Sequence, residues 1–141
     1  WKKNMDAIGI RIEFKTAKWP ENLKNARAGK LMVWRVGLSA ASPDGGPSFD
    51  RGFSGHLGGQ NLSRFKNPEY DRIYTEMAML PDGPERLALM HAANRLMLAY
   101  VPYIAHYHPV MTELRRPHVT GPFRHPYNGD WYRWVDVAPA V

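Results

Sequence analysis

Apolar and polar positions alternate along residues 8–14, where Ile8, Ile10, Ile12 and Phe14 interleave with Gly9, Arg11 and Glu13. A period of two predicts a strand with one buried face. Pro20 and Glu21 then open a short helix to about Ala28, stopped by Gly29, and residues 31–36 form a nearly continuous apolar run of the kind central strands carry. Strand, helix and strand in that order predict a parallel pair joined by a right-handed crossover. From Gly37 to Gln60 the pattern dissolves into glycine, serine, proline and aspartate, with Leu38, Phe49, Phe53 and Leu57 as apolar anchors. Loops of that length are uncommon in compact domains and are often functional, so ligand contacts are expected there first.

Helical periodicity returns after Asn67. Asn67 suits an N-cap, Pro68 suits the first helical position, and Tyr70, Ile73, Tyr74 and Met77 then share one face. Asp82 with Glu85 three residues later reads as a capping box for a second, long amphipathic helix carrying Leu87, Met90, Ala93, Met97 and Tyr100 and ending before Pro102. Residues 103–107 and 110–114 read as two short strands around His108 and Pro109, and residues 131–137 as a last strand. The fold class this implies is α/β, with a small mixed sheet flanked by helices.

The chain has 141 residues, which fits one domain, and no apolar run approaches the ~20 residues of a membrane span. The net charge of +6 raises a nucleic-acid interface as an alternative. The cations are dispersed rather than clustered, however: Lys2, Lys3, Lys15, Lys18, Lys24, Arg27 and Lys30 near the start, and Arg115, Arg116, Arg124 and Arg133 near the end. A solvated basic surface is the simpler reading. With no cysteine, disulfides and cysteine-ligated zinc are excluded and the redox compartment stays open. Neither an initiator methionine nor a signal peptide opens the sequence, which reads as cut from a longer chain.

Candidate chemistry is sparse. His106 and His108, two apart on an expected strand, could face one way, but His118 and His125 sit in loop-like sequence without a recognised zinc spacing, so structural histidines are expected and no metal. No nucleophile elbow, phosphate loop or His-Glu-x-x-His pattern occurs, and no catalytic residue is assigned. Glu69 and Asp71 lie in a first helical turn, where negative charge complements the helix dipole. Trp34 and Arg35 close the expected central strand, the position beyond which ligands gather in open α/β sheets.

The order of segments resembles that of family 5 extracytoplasmic solute-binding proteins, the peptide-binding receptors of ABC importers. Residues 5–13 look like a helix end followed by the family's Gly-Ile-Lys-Val-Glu type strand. Trp19-Pro20-Glu21-Asn22-Leu23 and Ala28-Gly29-Lys30 look like its short helix and glycine stop. Phe65-Lys66-Asn67-Pro68-Glu69-Tyr70-Asp71 is the most specific match, and residues 102–107 look like a Pro-x-Ile-Pro-x-Tyr strand.

The resemblance implies a periplasmic-binding-protein-like (type II) lobe, noncatalytic and without cofactor, that captures a peptide or similar small solute between two lobes and passes it to membrane permeases outside the cytoplasm. Residues 1–118 would be part of the C-terminal lobe, and residues 119–141 a crossover and tail docking on the other lobe. Peptide-binding members carry an amine-pairing aspartate in the loop after the second strand. By-eye matching puts Ala41 or Ser42 there, so that charge is either absent or supplied by Asp44, and Leu38 replaces a tryptophan. Trp34, Arg35, Ser39, Ser42 and Asp44 are therefore the candidate ligand-binding residues, with sugars, opines or metal chelates as solutes beside peptides. The aromatic tail, with Phe123, Tyr127, Trp131, Tyr132 and Trp134, is expected to pack on a second copy or to be mobile.

Overall fold

The computed structural model describes residues 1–40, 42–106, 108, 110, 112–122, 127 and 129–139. Its element order is α1 (Lys2–Asp6), α2 (Trp19–Arg27), 3-10 turns at Gly46–Arg51 and Ser54–His56, α3 (Pro68–Met79), α4 (Pro84–Tyr100), β1 (Val119–Thr120), a 3-10 turn at Trp131–Trp134 and β2 (Asp136–Val137).

The core lies between α3 and α4. Asn67 caps α3 as its sequence predicts, its side-chain oxygen accepting from the backbone N–H groups of Glu69 and Tyr70 at 3.0 Å each. The apolar stripe of α3 turns inward, burying Tyr70, Ile73 and Met77. Tyr70 and Ile73 meet Ala93 of α4, with Phe49, Phe65, Leu89 and Leu96 packed around them. The expected capping box does not form. Gly83 is the N-cap of α4 and no side chain caps it; Asp82 is drawn instead into an ion pair with Arg86 at 2.6 Å. At the far end Val101 takes a left-handed conformation, φ 50°, which turns the chain out of the helix ahead of Pro102.

Helix α2 also ends as expected. Gly29 N–H donates to the Ala26 carbonyl and Lys30 N–H to that of Asn25, the pair of bonds that closes a Schellman stop around a left-handed glycine, φ 70°. Arg64 completes the cap by donating to the Arg27 carbonyl at 2.7 Å, placing a cation where the helix dipole favours one.

Between these helices the chain closes on a single buried amide. Asn61 is fully buried; its Nδ2 donates to the carbonyls of Phe53 (3.1 Å) and Phe65 (2.8 Å), while its Oδ1 accepts from Ser63 Oγ (3.1 Å) and Phe65 N–H (3.2 Å). The Tyr103 hydroxyl accepts from the N–H groups of Leu62 and Ser63, so the segment after α4 is fastened to the same loop. Gly52 is required beside it, because a Cβ there would strike the Tyr70 ring.

The predicted parallel pair is a correction. Residues 8–14 and 31–36 form no ladder among the described residues, with a turn at Ile8 and Gly9 and a bend at Met32 and Val33; the sheet among those residues is the antiparallel pairing of β1 with β2, Val119 opposite Val137 and Thr120 opposite Asp136. Ile8, Ile10 and Phe14 are exposed, and Met32 and Val33 are 97% and 85% exposed. A strand pattern specifies which face is to be covered, not what covers it, and no described neighbour covers this one. Residues 131–137 likewise divide into a 3-10 turn and the two-residue β2. The expected strands at 103–107 and 110–114 are not formed by their described residues, while Tyr107, Pro109 and Met111 lie outside the description. The total accessible surface, 11507 Å² for 16.1 kDa, exceeds the roughly 7,400 Å² of a compact monomer of that mass.

Replacing Asn61 by Leu strands the Phe53 and Phe65 groups that it satisfies. Urea unfolding should show a loss of about 3 kcal/mol, and a loss under about 1 kcal/mol would remove Asn61 from this central role.

Candidate functional site

The part of the glycine-rich stretch from residue 42 to 60 is held to the helices at three points. The first is an ionic contact. The Ser42 hydroxyl donates to Asp44 Oδ1, and Arg86 of α4 donates to Asp44 Oδ2 at 2.8 Å while also reaching Asp82. The Arg86 side chain is only 16% exposed, while Asp44 meets it from the solvent side. Gly46 is buried beside it, where a Cβ would press on the ends of the Arg86 and Asp44 side chains. The Ser42 hydrogen bond, and then the Arg86 guanidinium, hold the Asp44 carboxyl below its ordinary value of 3.8.

The second point is a polar and aromatic cluster. Tyr74 of α3 donates to Asp50 Oδ1, with His56 Nδ1 3.9 Å from the same oxygen. Phe53 stacks on the Tyr74 ring at 4.5 Å, and His56 meets Phe53 edge-on at 5.1 Å. Burial, and then the hydrogen bond to Asp50, push the Tyr74 phenol up to about 12. The third point is Tyr70, whose hydroxyl donates to the Phe49 carbonyl at 2.8 Å and whose burial pushes its phenol up as well. Asp71 adds a tie that its place near a helix start did not reveal, accepting from the N–H and hydroxyl of Ser54.

Against this frame the five candidate residues separate into two groups. Ser42 and Asp44 are brought together and joined to Arg86. Trp34 lies against Trp19 of α2, with ring centroids 6.3 Å apart and planes at 33°. Arg35 and Ser39 are exposed on the irregular segment that follows. Ala41 lies outside the described residues. Among the described residues, a shallow hollow beside Met79 and Leu80 at the end of α3 and another beside Arg115 and Trp131 are lined by none of the candidate residues. Sequence reasoning missed Arg86, although its i,i+4 spacing from Asp82 was a usable signal.

His106 Nε2 accepts from the Trp1 indole at 3.0 Å, and no three metal-ligating side chains converge among the described residues. Phe123 and His125 lie outside the described residues, while Tyr132 and Trp134 are exposed. Trp131 sits under the Arg115 guanidinium, 5.5 Å from its carbon to the ring centroid, and Arg115 also donates to the carbonyls of Gly121 and Pro122.

Comparison with known proteins places this arrangement. Heme-binding protein A of Haemophilus influenzae is 30% identical over 92% of the chain. Di/tripeptide-binding protein 2 of Pseudomonas aeruginosa is 26% identical over 85% of it, and a probable deoxycholate-binding periplasmic protein of Escherichia coli, YgiS, 27% over 86%. Several of these relatives are family 5 solute-binding proteins, and the chain is similar to them over most of its length. It spans 23% and 24% of the length of the first two relatives. No family model matches the chain, and no solved structure matches it significantly. By their names these family 5 relatives are binding proteins rather than enzymes, and none is named for nucleic acid. No helix among the described residues is long and apolar enough to cross a membrane.

Two pH dependences follow. A carboxyl held low in the folded state stabilises it above the unfolded pKa, and that contribution is lost as pH falls through the folded value. Carbon-13 NMR titration should put the Asp44 midpoint below 3.8, with Arg86→Ala moving it upward. A phenol held high stabilises the fold below its unfolded pKa and ceases to as pH rises through the folded value. Ultraviolet titration should therefore find Tyr74 ionising near 12, and Asp50→Asn should bring that midpoint down.

Proposed function

We propose that the protein is the solute-binding component of an ABC importer, capturing a peptide or similar small solute between two lobes outside the cytoplasm and delivering it to membrane permeases. The observation that carries this reading is the match of several named solute-binding proteins over most of the chain. Residues 1–118 would be part of a C-terminal lobe of type II binding-protein fold, and residues 119–141 a crossover and tail. The exposed segments around Ile8, Ile10, Phe14, Met32 and Val33 support it. They carry strand patterning without a covering layer, which the remainder of a longer chain would supply.

In this reading Trp34, Arg35 and Ser39 contribute to the solute cleft, with Ser42 and Asp44 on the loop beside it. The solute touches both lobes only when they are closed, so its binding energy shifts the population toward the closed form. The relatives' names span peptides, heme and deoxycholate, and sugars, opines and chelates stay within the same class of small solute.

Thermal-shift measurements on the full-length protein against Ala-Ala-Ala, hemin, sodium deoxycholate and an opine panel test the reading. At least one compound should raise Tm, and Trp34→Ala should weaken its binding by roughly tenfold, as expected for loss of a buried aromatic anchor. No shift with any compound, together with salt-sensitive retention on heparin, would favour the nucleic-acid alternative instead.

A further inference from the structure

A free peptide presents a cationic amino terminus, and a site that recognises it must offer an anion that is not already neutralised. The loop between residues 37 and 60 contains two carboxylates, Asp44 and Asp50. Both are engaged. Asp44 uses one oxygen for the Ser42 hydroxyl and the other for the Arg86 guanidinium, and Asp50 accepts from the Tyr74 hydroxyl beside His56.

We infer that Arg86 sets the charge selectivity of this loop: by occupying Asp44 it latches the glycine turn to α4 and withholds the carboxylate from the solute, which is then bound without recognition of a free amino group. This rests on the solute-binding reading. Three features define the latch. The Arg86 side chain is largely covered, it holds Asp44 from 42 residues away in sequence while also reaching Asp82, and a Cβ on Gly46 would press on the ends of the Arg86 and Asp44 side chains. Asp82 is 86% exposed and serves as the outer arm; Asp44, the more sheltered partner, is the one that fixes the loop.

The test compares Ala-Ala-Ala with N-acetyl-Ala-Ala-Ala by calorimetry on the full-length protein, because the ratio of the two affinities reads amine recognition while general damage to the fold lowers both. In the wild type the two should bind within about twofold of each other. Arg86→Ala, which releases Asp44, should shift the ratio toward the free amine by about tenfold, the worth of one charge-assisted hydrogen bond, and adding Asp44→Asn should cancel that gain. A wild-type preference of tenfold or more for the free amine that Asp44→Asn alone removes would overturn the inference. So would a ratio unchanged by Arg86→Ala.

If neither peptide nor sodium deoxycholate nor hemin binds, the solute-binding reading falls, and the latch is decided by amide exchange. Faster exchange of residues 44–50 in Arg86→Ala would uphold it, and unchanged exchange would overturn it.

Discussion

A buried amide that has all its hydrogen bonds is the constraint on which the rest depends. Asn61 is the one fully buried polar side chain among the described residues, and its donors and acceptor are spent on the backbone and side chain of its own loop. Desolvating an amide is unfavourable unless every group is paired, so the Asn61 site admits one loop geometry. That geometry places Phe65 against Tyr70, directs Arg64 to the end of α2 and offers two N–H groups to Tyr103. Three parts of the chain distant in sequence are thereby joined through a segment with no regular secondary structure.

The division of labour between apolar and polar contacts follows from this. Tyr70, Ile73 and Ala93 hold two helices together by apolar packing, which is non-directional and tolerant of small changes. The loop has few apolar residues, and directional bonds to α3 and α4 fix it instead: Tyr70 to Phe49, Tyr74 to Asp50, Asp71 to Ser54 and Arg86 to Asp44. Each uses a helix side chain to hold loop atoms, so the loop takes its order from the helices.

What the sequence disclosed divides along the same line. Local signals were readable, because the residues that produce them lie within a turn of one another: the Asn67 cap, the Gly29 stop, the inward stripe of α3 and the length of α4. Non-local partners were not. Period-two patterning in residues 8–14 stated that a face is covered but carried no information about the covering surface, so a parallel pair was expected where none forms among the described residues. Asp82 and Glu85 matched a capping box, yet Arg86 one turn on was the stronger partner for Asp82, charge against charge. Ser42 and Asp44 were singled out by their place in the loop. Their engagement with Arg86 depends on a contact spanning 42 residues that no local spacing encodes.

The bare apolar segments carry a further consequence. Exposed apolar side chains such as Met32 and Val33 offer a surface to which another chain can adhere. Whatever covers these residues acts as a guard against self-association as well as completing a fold. Cutting the polypeptide so that they stay bare would turn the same patterning from a folding signal into a template for aggregation.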